Sequence, residues 1–179
     1  MRAGDDDDHW VRRAQAEPAR FAVLYERYFN DVFRFLHRRS GRMELTADLT
    51  QQTFLKAMLA LPRYQPRGAP FRAWLFRIAL NEIRMHWRRR KEMTMELGLK
   101  EVAPLAEETG LDLEEVQLGR LSHALSKLGE DQARLIELRY FDGLSFAEVG
   151  QVIGIGEDAA KMRTHRVLRR LRELLGTTT

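Results

Sequence analysis

Basic side chains recur on one side of the segment from residue 70 to residue 91. Arg77, Arg84 and Arg88 are separated by seven and by four residues, so they align along one face of a helix. Guanidinium groups in such a row can bind successive phosphates while neighbouring aromatic rings stack on unpaired bases. This spacing favours noncovalent binding of single-stranded nucleic acid, and the alternative is a helix face that only meets solvent.

The rings and the one acidic residue of this region differ in their expected exposure. Tyr64, on a proline-rich loop, and Trp87, near the end of the helix, are the candidates for exposed rings. Trp74 lies among apolar residues and is expected in the core. Glu82 falls toward the apolar side of the helix, where we expect it to form a salt bridge.

A second basic helix is predicted after Gly156. Before it, Ser145 and Glu148 have the spacing of a capping box, and Gly154 can end the short helix that they begin. A capped helix, a turn with glycine and a basic helix form a helix-turn-helix, whose second helix enters the major groove of DNA. The residues expected on its outward face are Lys161, Met162, Arg163, His165, Arg166 and Arg169.

A polar face is predicted on the helix that contains Asp48. Leu49, Phe54 and Ala57 can turn inward, which leaves a polar side of ordinary amphipathic character. The side chains on that polar side are Asp48, Gln51, Gln52 and Lys56.

Catalytic chemistry has little support in this sequence. The chain has no cysteine, which excludes disulfides and thiolate metal sites. Asp5–Asp8 with His9 form the densest group of potential metal ligands, but four consecutive carboxylates cannot converge rigidly on one ion. The other histidines are scattered. We therefore expect no catalytic residue, metal site, cofactor or small-molecule substrate.

Charge is distributed unevenly along the 179 residues. Residues 62–91 carry nine basic and one acidic side chain, and residues 92–118 carry one basic and eight acidic ones. Residues 156–179 are basic again, and two basic segments indicate two contacts with one polyanion. No apolar run is long enough to span a membrane, and no secretory signal is expected.

Helical periodicity dominates every informative stretch, so the predicted fold class is all-α. Helices are expected from Pro18 to Ser40, from about Glu44 to Leu61, and from about Pro70 to Lys91. The last third of the chain reads as four short helices. Between these regions, the stretch that follows Glu92 has poor periodicity and is expected to be a linker that could contain a helical turn.

Together these segments resemble the extracytoplasmic-function (ECF) sigma factors of the sigma-70 family, the smallest bacterial transcription initiation subunits. Residues 48–54 (DLTQQTF) resemble the stretch that binds the clamp helices of the largest polymerase subunit. Residues 71–81 (FRAWLFRIALN), followed by arginines 88–90, resemble the helix that melts and reads the minus-ten element. Residues 143–149 (GLSFAEV), with the basic helix after them, resemble the reader of the minus-thirty-five element.

The resemblance covers most of the chain and implies two small helical domains. The first, at residues 1–91, would bind core polymerase and the minus-ten element, and the second, at residues 119–179, would bind the minus-thirty-five element. A flexible acidic linker at residues 92–118 would join them and pass through polymerase channels. The implied function is promoter-specific initiation by bacterial RNA polymerase, for a stress or envelope-response regulon.

The resemblance also assigns residues to each contact. The outward face of the C-terminal helix would bind the upstream element as duplex. Polymerase binding would fall to Asp48, Gln51, Gln52 and Lys56. Recognition and melting of the minus-ten element would fall to Tyr64, Arg67, Arg77, Asn81, Arg84 and Arg88, with the loop at residues 63–69 holding a flipped-out base.

The implied partners are core RNA polymerase, through its clamp helices and flap, and promoter DNA. An anti-sigma factor is a further implied partner, which could hold the protein at the inner membrane. The implied location is the cytoplasm, in association with the nucleoid.

Several positions depart from the family pattern. Gln52 and Met85 stand where acidic residues are common, and Gly156 stands where a serine cap is common. Ala159 replaces a usual threonine, which puts one phosphate contact in doubt. Gly150 stands where alanine is common, with an expected cost of ~1 kcal/mol in a helix interior.

Two other classes of function remain open. A helix-turn-helix repressor or activator that acts without core polymerase would explain residues 119–175 but leave the Asp48–Phe54 and Phe71–Arg90 patterns unused. An inhibitory or adaptor protein that binds sigma domains has no need for two basic surfaces. Copurification with core polymerase distinguishes a sigma factor from these two classes.

Overall fold

The computed structural model of the chain describes residues 3–66, 70–89, 103–106, 108 and 118–176. The chain folds as two compact units, Met1–Glu96 and Leu97–Thr179. All regular secondary structure in the described residues is helical, which confirms the predicted fold class. Among those residues no helix is both long enough and apolar enough to cross a bilayer.

In its described residues the first unit contains four α-helices. They are α1 (Ala3–Ala16), α2 (Phe21–Ser40), α3 (Met43–Ala60) and α4 (Phe71–Arg89). Short 3-10 turns at Pro18–Arg20 and Leu61–Arg63 precede α2 and follow α3. The three helices that the sequence predicts correspond to α2, α3 and α4.

Helices α2, α3 and α4 surround an apolar core that fixes their outer faces. Phe35 of α2 stacks on Phe76 of α4, with ring centroids 4.6 Å apart. Phe54 of α3 packs on Tyr25 of α2, with centroids 4.7 Å apart. Large rings dominate the apolar area buried in small domains, so these pairs hold the three helices together.

Helix α1 is not predicted by the sequence analysis, which begins the first helix at Pro18. The run Asp5–Asp8 lies in its first turns, where carboxylates oppose the positive end of the helix dipole. Asp7 is buried, accepts a hydrogen bond from the hydroxyl of Tyr28, and lies 3.5 Å from Nε of Arg27. Burial, with this hydrogen bond, raises the pKa of the Tyr28 hydroxyl above its ordinary value. Asp7 therefore anchors this helix to α2.

The described residues of the second unit contain four further α-helices. They are α5 (Leu118–Ser126), α6 (Glu130–Ile136), α7 (Phe146–Ile153) and α8 (Glu157–Leu175). Helix α6 continues as a π-helix at Glu137–Phe141, where the amide of Asp142 donates to the carbonyl of Glu137 at 2.9 Å. These helices correspond to the four that the sequence predicts.

The capping box that begins α7 is confirmed. The amide of Ser145 donates to the Glu148 carboxylate at 2.8 Å, and the amide of Glu148 donates to the Ser145 hydroxyl at 3.2 Å. Gly154 ends the helix at φ 80°, in the left-handed region that favours glycine. Helices α7 and α8 thus form the predicted helix-turn-helix.

Gly150 has a packing role in the turn between α7 and α8. The amide of Ile155 donates to the carbonyl of Gly150 at 2.8 Å. A Cβ atom on residue 150 would lie 2.7 Å from the carbonyl oxygen of Ile155, which is a backbone atom and cannot rotate away. The expected cost of glycine in a helix interior is therefore opposed by a packing requirement, because alanine would collide with the turn.

Part of the predicted linker belongs to the second unit. Residues 103–106 are helical, and Leu105 and Ala106 are buried there. Arg172 of α8 donates to the carbonyl of Glu108 at 2.6 Å. This hydrogen bond joins Glu108 to α8, while residues 92–102, 107 and 109–117 lie outside the described part of the chain.

Candidate nucleic-acid interface

Helix α4 presents a polar row made by Arg77, Asn81 and Arg84. The three residues are spaced by four and by three positions, so they share one face, and each is exposed. Guanidinium groups bind phosphates, and an amide between them can both donate to and accept from a base edge. The structure brings these three predicted residues together. Arg67 and the side chain of Arg88 lie outside the described residues.

Tyr64 is buried, which corrects the prediction of an exposed ring. Its exposed fraction is 8%, and its ring packs 4.6 Å from that of Trp74 and 5.4 Å from that of Phe71. Burial, with smaller contributions from Asp8 and Asp7, raises the pKa of Tyr64 to about 12. The ring is thus a packing element at the entrance to α4. The side chain of Trp87, the other predicted exposed ring, lies outside the described residues.

Trp74 was expected in the core and is instead partly exposed. It lies one turn before Arg77 on α4, and its ring packs 5.3 Å from that of Phe71. The rings of Tyr64 and Phe71 pack against it, and the rest of the side chain is partly exposed to solvent. A ring of this kind can support a stacked base beside the arginine row.

Gln15 of α1 holds the segment that carries Tyr64, and sequence reasoning missed it. Its side-chain amide donates to the carbonyl of Leu61 at 2.9 Å and to that of Tyr64 at 2.8 Å. Both acceptors are backbone carbonyls, which every residue has, so no pattern in the sequence could have identified the contact. Only the position of α1 in the fold identifies it.

The salt bridge expected at Glu82 is confirmed, and its partner is Lys56. The Nζ atom of Lys56 lies 2.6 Å from Oε1 of Glu82. The carboxylate is buried, and the lysine side chain is half exposed. Lys56, which was predicted to bind polymerase, therefore already has a bonded partner that joins α3 to α4.

The outer face of α3 is more apolar than the sequence analysis expected. Asp48, Gln51 and Gln52 are exposed, as predicted. Leu55 is 54% exposed and Leu59 is 71% exposed beside them. A leucine pair at four-residue spacing on a polar face was the signal that could have identified this surface. An exposed apolar patch with a polar rim is typical of a protein-binding surface.

All six residues predicted to face outward on α8 are exposed. They are Lys161, Met162, Arg163, His165, Arg166 and Arg169. Thr164 points inward and satisfies its hydroxyl by donating to the carbonyl of Ala160 at 2.8 Å. The ring of His165 lies 5.9 Å from that of Phe146, at the start of α7. The basic face is therefore the outer side of a helix whose inner side packs within the helix-turn-helix.

Arg163 and Arg166 border an open depression between α6 and α8. Asp131 and Arg134 line its other side. Arg134 lies 3.1 Å from Asp131 and 2.5 Å from Glu130, so it partly neutralises the acidic start of α6. This arrangement limits the attraction that those carboxylates exert on the two arginines and leaves the guanidinium groups suited to an external anion.

Two family models match the chain. Sigma-70 region 2 matches residues 24–93, which include most of α2 and all of α3 and α4. Sigma-70 region 4 matches residues 124–173, which include α6, the helix-turn-helix and most of α8. Helix α1 lies before both matched regions.

The chain is similar to several characterised proteins. It is 36% identical to the ECF RNA polymerase sigma factor BldN of Streptomyces coelicolor, over 92% of this chain and 64% of the relative's length. It is 34% identical to the RNA polymerase sigma factor CarQ of Myxococcus xanthus, over 87% of this chain and 89% of the relative. The ECF sigma factor SigL of Mycobacterium tuberculosis is 30% identical, over 89% and 90% of the two chains.

Two solved structures share the fold. The structure of CnrH in complex with the cytosolic domain of CnrY matches with a TM-score of 0.64 and 25% identity, over 97% of this chain and 99% of that chain. The sigma factor RpoE of Bartonella quintana, in complex with the anti-sigma factor NepR, matches with a TM-score of 0.56 and 24% identity, over 89% and 98% of the chains.

Proposed function

Because the chain belongs to the extracytoplasmic-function group of sigma-70 RNA polymerase sigma factors, we propose that it directs promoter-specific transcription initiation by bacterial RNA polymerase. The observation that carries the proposal is the pair of exposed basic helix faces, one on α4 and one on α8. One chain with two such faces can bind one promoter at two elements. In this role the chain has no chemistry of its own, and RNA synthesis belongs to the polymerase.

Helix α8 binds the upstream element as duplex DNA. Its first two turns enter the major groove, with Lys161, Met162 and His165 nearest the bases. Arg163 and Arg166, which border the depression beside α6, bind phosphates. Arg169 lies one turn further along the helix and extends the phosphate contact.

Helix α4 binds the opened minus-ten element. Arg77, Asn81 and Arg84 follow the backbone and base edges of one strand, and Arg67 and Arg88 extend this surface in our proposal. Opening a duplex costs ~1.4 kcal/mol per stacked step, and stacking on a ring returns ~1–3 kcal/mol per base. Because Tyr64 is buried, the partly exposed Trp74 is the better stacking surface, and Tyr64 shapes the segment before it.

The outer face of α3 binds the polymerase. Leu55 and Leu59 supply exposed apolar area, and Asp48, Gln51 and Gln52 form the polar rim that sets orientation. Lys56 supports this surface through Glu82, because its ammonium group is bonded within the unit. The partner is the clamp helices of the largest subunit, and the second unit contacts the flap.

We further expect an anti-sigma factor to regulate the protein. One solved structure with this fold is a complex of a sigma factor with an anti-sigma factor, and another is a complex of CnrH with the cytosolic domain of CnrY. Regulation of this kind suits a stress or envelope-response regulon, with the protein acting in the cytoplasm on the nucleoid. A membrane-bound anti-sigma factor could hold it at the inner membrane.

Run-off transcription tests the proposal. Purified core polymerase and the full chain are incubated with a library of genomic fragments, and transcripts that depend on the chain are sequenced. We expect a small set of start sites with shared upstream elements. The variant with Arg77→Ala and Arg84→Ala is the matched control and should lose these transcripts. Absence of any dependent transcript contradicts the proposal.

A regulator that acts without polymerase is the second candidate, supported by the complete helix-turn-helix alone. It predicts that the chain binds its duplex site equally well with and without core polymerase, and that the leucines of α3 have no effect. Copurification with core polymerase separates the two candidates.

A further inference from the structure

We propose that Gln15 is a positioning residue for promoter opening, because it fixes the segment that leads into the minus-ten helix. This inference rests on the proposed function. The established family match begins at residue 24, so helix α1 and its contacts lie outside it. The contacts of α1 with α2 and with the turn after α3 give that helix a specific structural role.

Helix α1 is anchored near both of its ends. Near its start, the buried carboxylate of Asp7 accepts a hydrogen bond from Tyr28 of α2 and lies 3.5 Å from Nε of Arg27. Near its end, Gln15 donates to the carbonyls of Leu61 and Tyr64. Between these ends, Val11 and Ala14 are buried, with exposed fractions of 1% and 2%. A helix held in this way cannot shift without breaking a buried contact.

The two hydrogen bonds of Gln15 act on the connection between α3 and α4. Leu61 begins the 3-10 turn that ends α3, and Tyr64 is the first residue after that turn. The amide of Tyr64 donates to the carbonyl of Leu61 at 2.9 Å, so Gln15 bonds to both ends of one closed turn. This turn sets the direction in which the chain leaves α3.

The ring of Tyr64 transmits that position to α4. It packs on Phe71, the first residue of α4, and on Trp74, one turn later. Trp74 is followed by Arg77, which begins the exposed polar row. Gln15 therefore acts through three packed rings on the surface that meets the opened strand. It is not expected to touch DNA itself.

The chemistry of the contact suggests sharp variants. Both partners of Gln15 are acceptors, so the contact requires a donor at residue 15. Gln15→Glu has the same shape and cannot donate. Gln15→Lys replaces the amide by an ammonium group that can donate to both carbonyls. Ala16→Glu, at the exposed neighbouring residue, adds the same charge without touching the turn.

The experiment uses the full chain, core polymerase and a promoter found by run-off transcription. Permanganate reactivity of thymines measures the rate of opening on duplex DNA, and the yield of run-off transcript measures activity on a pre-melted template. We expect Gln15→Glu to slow opening of the duplex by about fivefold to thirtyfold, the effect of losing one to two net hydrogen bonds. Gln15→Lys and Ala16→Glu should open close to the parental rate, and all variants should be equal on the pre-melted template.

Three results would overturn the inference while leaving the proposed function in place. Gln15→Glu could open the duplex at the parental rate, or Ala16→Glu could share its defect. The defect of Gln15→Glu could also persist on the pre-melted template together with reduced affinity for core polymerase, which indicates a general loss of structure. Failure of the parent to produce any promoter-dependent transcript instead contradicts the proposed function, and the inference with it.

Discussion

The Nζ atom of Lys56 lies 2.6 Å from Oε1 of Glu82, and this ion pair joins α3 to α4. The two partners are unequal, because the side chain of Glu82 is 7% exposed and that of Lys56 is 49% exposed. Removing the lysine leaves a buried carboxylate without its cation, whereas removing the carboxylate leaves a lysine that water can solvate. The pair also connects the surface proposed for polymerase with the surface proposed for the promoter.

Lys56→Met should therefore destabilise the first unit more than Glu82→Gln does, with a difference of about 1–2 kcal/mol in the free energy of unfolding. Urea titration followed by tryptophan fluorescence measures this, because Trp10, Trp74 and Trp87 all lie in the first unit. The double variant is the control and should be more stable than Lys56→Met. Equal losses for the two single variants would contradict this account.

Gly150→Ala should destabilise the second unit by about 1–3 kcal/mol, although alanine is the better helix former. The reason is the 2.7 Å approach between the new Cβ atom and the carbonyl oxygen of Ile155. Hydrogen exchange of the amides in α7 and α8 is the measurement. Gly129→Ala is the matched control, because nothing lies within 4 Å of its Cβ position. Exchange at the parental rate in Gly150→Ala would show that the turn tolerates alanine.

Arg163→Ala and Arg166→Ala should each weaken binding to duplex DNA of any sequence. Each should reduce the slope of log affinity against log salt by about one unit, the effect of one lost phosphate contact. Fluorescence anisotropy at several salt concentrations measures the slope. Lys127→Ala removes one exposed positive charge elsewhere in the second unit and serves as the control. A changed base preference in either arginine variant would assign that residue to base recognition.

Leu55→Ser combined with Leu59→Ser should reduce affinity for core polymerase by about tenfold to a hundredfold. Both side chains are largely exposed in the free protein, so the unfolding free energy should change little. Competition against the parent for labelled core polymerase measures the loss. Leu174→Ser removes a comparably exposed leucine from the second unit and is the control. Parental affinity in the double variant would place the polymerase surface elsewhere.

Arg77→Ala combined with Arg84→Ala should impair open-complex formation on duplex promoters and leave binding to core polymerase unchanged. The substitution removes two cations that would bind the phosphates of the opened strand. A pre-melted template should restore activity, because the opening cost is already met there. Arg12→Ala combined with Arg13→Ala, which removes two exposed arginines from α1, controls for the change in net charge. Normal opening by the double variant would show that this row is not part of the melting surface.

The sequence predicts the helices of this protein well where local signals decide them. The capping box of Ser145 and Glu148 and the apolar period of α2 act within a few residues, and both appear in the structure. The outward face of α8 follows from the same period. The sequence does not predict helix α1, because the run Asp5–Asp8 carries no apolar period and the apolar residues around it are few. Its stability depends on Asp7 reaching Tyr28, which is a tertiary contact.

The sequence predicts the charged residues of the candidate site, but it does not predict how the residues around them pack. The row of Arg77, Asn81 and Arg84 follows from helical spacing alone. The burial of Tyr64 depends on α1 and on rings of α4, so a loop rich in proline gave no sign of it. The ion pair of Lys56 with Glu82 and the close approach at Gly150 likewise depend on contacts between different structural elements. The spacing of residues within one helix cannot reveal which residues of different helices are in contact.

The π-helix at Glu137–Phe141 has a consequence for insertions and deletions in this chain. A π-turn accommodates one residue more than an α-turn, so loss of one residue here would let α6 continue as ordinary α-helix. Each residue of an α-helix turns the chain by about 100°, so everything after the deletion would be rotated relative to α6. The helix-turn-helix follows directly, and its basic face would then point in another direction. At this segment the direction of the basic face depends on the number of residues as well as on their identity.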